Sequence, residues 1–184
     1  MTGLLIAGAI AAALLLWIAA AYNRLIRLRN EAEQGASSID VQLKRRADLI
    51  PNLVEAVKAY ATHERETFER IAAARAATLG AGTLDEKAAA DGLMQAAVTG
   101  LLGIAEAYPQ LRAVESFTRL QDQLTDTEDK IAAARRYYNA VVRRLNTAIE
   151  TLPTNLVANA TGIRRRPFYR LEDDADREPV AVST

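Results

Sequence analysis

The sequence predicts an all-α protein: one transmembrane helix, then a bundle of four helices, then a C-terminal tail. Three observations predict it. The chain opens on a long uncharged apolar run, and the segments after it space their apolar residues by threes and fours. Aromatic residues make up only 5% of a composition that is 50% hydrophobic, and alanine is prominent, which suits helices packed through small side chains and disfavours a β-rich fold. With 184 residues there is room for one domain with a real core beside an anchor and a tail. We place the boundaries at 1–23 for the anchor, 24–153 for the bundle and 154–184 for the tail.

The anchor is GLLIAGAIAAALLLWIAAAY, Gly3 to Tyr22. About 20 residues at roughly 1.5 Å each span a hydrocarbon core of roughly 30 Å. A cleaved signal peptide is the rival reading, with Ala19 to Ala21 as a small-residue cleavage site. No lysine or arginine precedes the run, however, and the run exceeds a usual signal core. Arg24, Arg27 and Arg29 follow at once, a membrane-proximal basic group that belongs on the cytoplasmic side and puts the bulk of the chain there.

The first soluble helix carries Leu25, Leu28, Ala32, Gly35, Ile39 and Leu43 on one stripe. It is expected to end at a corner in KRRADLIPNL, with Lys44, Arg45 and Arg46 beside the terminal carbonyls, Asp48 as the next N-cap and Pro51 in the following first turn. A continuous, proline-kinked helix is the alternative, since Ile39, Leu43, Ile50, Val54 and Val57 stay nearly in phase. A mid-helix proline costs about 3 kcal/mol, which favours the corner. The second helix then runs from Ile50 through Ile71 to the glycines of TLGAGT.

Thr83 with Glu86 forms a capping box for a third helix, striped by Met94, Ala97, Leu101, Ile104 and Tyr108. Its apolar part is short for a second span and is interrupted by Gln95, Thr99 and Glu106, so it is expected in the bundle. Pro109 opens the last and longest helix, expected to reach Leu152. Phe117, Leu124, Ile131, Tyr138, Leu145 and Leu152 recur in it every seven residues, which makes self-association plausible if the helix outreaches its neighbours. The tail holds GIRRRPFYRLEDD, read either as a strap folded on the bundle or as a lipid-headgroup patch; Glu172, Asp173, Asp174 and Asp176 offset its arginines.

Several activities lack their residues. The balance of 23 basic and 23 acidic residues gives no field for nucleic acid, and the lack of cysteine removes thiolate chemistry. The one histidine lies in HERET, where Thr67 stands at the position a zincin fills with a second histidine. No phosphate-binding glycine loop or nucleophile elbow is present. The expectation is a non-enzyme with no cofactor or metal. Gln121, Glu128 and Arg135, again spaced by seven, form the one notable polar row. They are read as a buried layer that fixes helix register, with Asp40, Gln42, Arg45 and Arg46 as candidate partners and Asp40 and Arg45 the leading pair. A half-buried rim is the equal alternative.

With YNRLIRLRN, IDVQLKRRADLIPNLVEAVKAYATHE, YPQLRA and TEDKIAAARRYYN in view, the chain resembles the LemA family of bacterial membrane-anchored proteins over nearly its whole length. The resemblance implies an antiparallel four-helix bundle behind a single span in the bacterial inner membrane, a small N-terminus outside the cytoplasm, and no established enzymatic activity. Because the family includes relatives associated with magnetosome membranes, it also implies membrane shaping or scaffolding. ATGIRRRPFYRLEDD departs from the apolar, aromatic segment usual at the C-terminus. The expected function is therefore a self-associating scaffold on the lipid bilayer, a homo-oligomer. The alternative is a membrane-tethered signalling or stress-response adaptor that binds a protein partner through the bundle.

Overall fold

The computed structural model describes residues 1–171, and every regular element in that range is helical. The helices are α1 (Thr2–Lys58), α2 (Arg65–Gly80), α3 (Leu84–Glu106), α4 (Pro109–Arg112), α5 (Glu115–Glu150) and α6 (Thr154–Thr161). They form two compact units that are interleaved in sequence: Met1–Ala36 with Arg136–Phe168, and Ser37–Arg135 with the chain from Tyr169.

In the first unit the apolar start of α1 is left bare by the described residues. Leu4, Leu5, Ile10 and Leu16 are all exposed, and the helix is long and apolar enough to cross a membrane. Packing begins at Ala21. Leu25 and Leu28 share a cluster there with Leu145 and Ala148 of α5 and with Val157, Ala158 and Ile163. Gly35 lies so close to α5 that a Cβ on it would stand 3.3 Å from Cα and Cβ of Tyr138. Gly162, at φ 69°, ends α6 in the left-handed conformation that favours glycine. Beyond it the chain is an extended strap: the backbone N–H of Arg166 donates to Asn146 at 3.0 Å, and the Tyr138 hydroxyl donates to the Pro167 carbonyl at 2.9 Å.

The second unit is built on Ile50, Leu53, Val57, Phe68, Ile71, Met94, Leu101, Phe117 and Leu124, all buried in one cluster. Each such side chain contributes about 1.5–3 kcal/mol on burial. The expected capping box opens α3: Glu86 N–H donates to Thr83 Oγ1 at 3.2 Å, and the N–H groups of Thr83 and Gly82 donate to Glu86 Oε2 at 2.9 and 2.8 Å. α3 is also long and apolar enough to cross a membrane, but Met94, Val98, Leu101 and Ala105 sit in the core cluster.

Three sequence expectations are corrected. The corner at Asp48 and Pro51 does not form, because α1 runs through both and ends at Lys58. Its buried face of Leu43, Ala47, Ile50, Leu53 and Val57 stays in phase, and Asp48 and Pro51 are both exposed. Pro51 cannot donate to the carbonyl of Ala47 four residues back. Arg75 Nε of α2 does so instead, at 2.9 Å, which removes the main penalty that argued for a corner. The turn falls at residues 59–64, so the stripe from Ile50 to Ile71 spans two helices; Ala61 within the turn and Phe68 just after it both enter the core. The last helix is divided as well. α4 is a single turn closed by short bonds such as Val114 N–H to the Leu111 carbonyl at 3.0 Å, and α5 starts afresh at Glu115. Leu152 lies beyond its end and is exposed, although the five earlier members of the seven-residue row are buried.

Candidate functional site

The most distinctive polar centre lies in the second unit. Arg46 of α1 is wholly buried, held on the same face that carries Leu43, Ala47 and Ile50 into the core. Its guanidinium donates from Nη2 to Asp91 Oδ1 at 2.6 Å, and from Nη1 to both carboxylate oxygens of Glu128 at 2.9 and 3.2 Å. Asp91, on α3, is 2% exposed. Its other oxygen accepts from the Tyr169 hydroxyl at 2.9 Å and lies 4.0 Å from Arg135 Nη1. Arg135 also stands over the Tyr169 ring, with Cζ 5.4 Å from the centroid.

The charges balance, with two guanidiniums against two carboxylates. Burial of such ions costs several kcal/mol each, which close pairing and added hydrogen bonds must offset. Tyr169 shows the same physics. Burial first, then the charge of Asp91 and the hydrogen bond to it, raise its phenol far above the ordinary value of 10.0, so the hydroxyl stays protonated and donating. The Lys87 carbonyl lies 3.2 Å from that hydroxyl, but one hydrogen serves one acceptor best, and the charged oxygen is closer. Arg46 Nε and the Oε1 of Gln42, one turn earlier on α1, are buried without a hydrogen-bond partner. The ions of the centre engage one another, so the arrangement clasps α1, α3 and α5 together.

Of the residues singled out from the sequence, Glu128 and Arg135 are brought into this centre, both half-buried. Gln121, two turns before Glu128, is half-buried and takes no part in it. Asp40 pairs instead with Lys87 Nζ at 2.7 Å, and the exposed Arg45 lies 3.8 Å from Asp126. Lys130, one turn along α5, holds the Asp126 carboxyl below its usual range. Arg24, Arg27 and Arg29 are exposed after the apolar run, and Arg29 bonds Glu33 at 3.2 Å. That bond, with help from Arg166 of the strap, lowers the Glu33 carboxyl despite some desolvation. Glu172, Asp173, Asp174 and Asp176 lie outside the described residues. Arg46, rather than Arg45, faces the core. Asp91 escaped the sequence reading, although a carboxylate within AAADGLMQ, in otherwise apolar surroundings, was its signal. Tyr169 had none, being in an extended segment without periodicity.

A second feature of this unit is an apolar groove of about 320 Å³ between α2 and α3, floored by Ala73, Ala74, Ala96, Ala97 and Gly100 and bordered by Leu93. Among the described residues, no three His, Asp or Glu side chains come together as a metal ion would need.

The chain is similar to the magnetosome protein MamQ of Magnetospirillum gryphiswaldense, 25% identical over 86% of this chain and 68% of that one. It is 26% identical over the same shares to MamQ 2 of Paramagnetospirillum magneticum. To the protein LemA of Metamycoplasma hominis it is 29% identical, over 74% of this chain and 63% of the relative. The family model for LemA matches residues 35–183, a stretch that takes in the whole Arg46, Asp91, Glu128, Arg135 and Tyr169 centre. This chain belongs to the LemA family.

Proposed function

We propose that the protein is a membrane-anchored, non-enzymatic scaffold that self-associates to organise or shape the bilayer. The observation that carries this reading is the bare apolar start of α1, whose large side chains from Leu4 to Leu16 are exposed on a helix that continues without a break to Lys58. Such a surface is unstable in water and stable in hydrocarbon. Arg24, Arg27 and Arg29 favour a single pass with the N-terminus outside and the remainder in the cytoplasm, at the inner membrane. α1, α2, α3 and α5 are read as an antiparallel four-helix bundle, with no cofactor and no nucleic-acid partner. The magnetosome names of two relatives agree with a role at a membrane-bounded structure.

The scaffold reading is tested by the mass of the full-length protein extracted with its native lipids and imaged as single particles. A regular homo-oligomer supports it, and a monomer across a wide concentration range overturns it.

The groove between α2 and α3 favours a second reading, a tethered adaptor. Small side chains leave a trough there, and Leu93, 59% exposed, offers an apolar contact to a partner's side chain. In that case Leu93→Glu abolishes crosslinks to a partner in cells while helicity is unchanged; persistence of the crosslinks removes the idea.

A further inference from the structure

The corner between α5 and α6 presents large apolar side chains where the membrane span ends. Leu152 is 75% exposed and Leu156 is 62% exposed. They flank Pro153, also exposed, while the next residues, Val157 and Ala158, turn the opposite face of α6 into the cluster with Ala21, Leu25 and Leu28. The helix is thus amphipathic in an unusual sense, with apolar residues both toward the protein and away from it.

The level of this corner along α1 follows from side-chain pairs. Gly35 lies opposite Tyr138, and Glu31 meets Arg144 at 3.4 Å, so positions on α5 advance as those on α1 retreat. Carried on residue for residue, that register sets Glu150 level with Asn23 to Leu25, and Leu152 level with Ala21 to Asn23. The apolar run ends at Tyr22. The exposed leucines therefore stand at the plane where the hydrocarbon core gives way to headgroups. Arg164 and Arg165 are exposed just after α6, Arg165 reaching back to Glu150 at 2.9 Å, and Arg24 and Arg27 are exposed on α1. Apolar tips set among arginines match an interfacial contact with an anionic leaflet, the leucines at the acyl boundary and the guanidiniums among phosphates.

We propose that the α5–α6 corner is a second membrane contact, in which Leu152 and Leu156 dip into the cytoplasmic leaflet beside the span. This rests on the reading of α1 as a membrane anchor. The occupant of the patch is lipid, not a second protein: the patch adjoins the span at its own level and its charged border is cationic. The contact tethers the protein at two points, so the first unit is held at a fixed tilt instead of swinging about one helix.

The chain has no cysteine, so single-cysteine variants carry an environment-sensitive fluorophore at one site each. Leu152→Cys, Leu156→Cys, Leu14→Cys and Arg143→Cys are reconstituted at full length in vesicles of phosphatidylcholine and phosphatidylglycerol containing a doxyl-quencher lipid. Arg143 is exposed two turns or more back along α5 from the corner and serves as the aqueous reference. The expected result is blue-shifted, lipid-quenched emission at Leu14, Leu152 and Leu156, and none at Arg143. If Leu14 is quenched while Leu152 and Leu156 behave like Arg143, the second contact is overturned and the anchor stands. If Leu14 is itself aqueous, the anchor reading falls and this inference falls with it.

Discussion

Asp91 carries more of the second unit than its single position in the sequence suggests. It pairs with Arg46, receives the Tyr169 hydroxyl and faces Arg135, all with 2% of its surface exposed. Asp91→Ala leaves a buried guanidinium without its closest partner, and we expect a loss of about 3–5 kcal/mol in urea unfolding. Tyr169→Phe keeps the ring and removes one donor, and should cost about 1–2 kcal/mol. A larger loss for Tyr169→Phe than for Asp91→Ala would reverse the assignment of Asp91 as the hub. Glu86 is an exposed counterpart. Backbone N–H bonds from Thr83 and Gly82 lower its carboxyl below 4.5, so its charge supports folding above that value and ceases to as pH falls through the lowered one. Thermal melts should therefore separate the wild type from Glu86→Gln at about pH 7 and bring them together as acid titrates the Glu86 carboxyl in the folded protein. At this scale the sequence was half legible. The row of Glu128 and Arg135 was visible by its spacing of seven, but which of two adjacent arginines turned inward depended on a one-residue difference in helical phase.

Among the helices, α1 teaches most about what a sequence conceals. Its apolar start and its stripe from Leu25 to Leu43 were readable from composition and period, and they are buried or exposed as that period dictates. The missing corner was not readable, because the residue that takes over the lost hydrogen bond, Arg75, lies on another helix. The turn that does occur, at residues 59–64, contains neither glycine nor proline. Its position is set by Ala61 and Phe68 entering one core, which is tertiary information. The Arg75 account makes a sharp prediction in a double-mutant cycle. Arg75→Ala should cost about 1 kcal/mol when Pro51 is present, and little when Pro51→Ala has restored an N–H to the Ala47 carbonyl. Equal costs in both backgrounds would show that the bond does not compensate for the proline. Gly35 is the other elemental constraint. A side chain there meets the backbone of Tyr138 at 3.3 Å, so Gly35→Val forces α1 and α5 apart and should lower stability by about 1–3 kcal/mol.

For the molecule as a whole, the all-helical class was legible because alanine-rich three-four spacing leaves few alternatives. The division into two units was not, since both draw on α1 and α5 and no linker composition marks the boundary. The anchor reading yields a measurement on the intact protein. In lipid vesicles, amide exchange across residues 3–22 should be slower than across the turn at 59–64, because hydrocarbon denies water to the first; comparable rates would argue against insertion. The buried Arg46–Asp91 pair also bears on how the protein answers ionic strength. Surface pairs such as Arg65 with Glu69 and Arg119 with Glu115 face solvent, where the high dielectric, side-chain entropy and dissolved salt leave such pairs little net value. Arg46 itself is wholly buried. A protein with no net charge, whose Arg46–Asp91 pair lies out of reach of solvent, keeps that internal clasp in dilute and concentrated salt alike, while the contacts on its surface follow the salt around it.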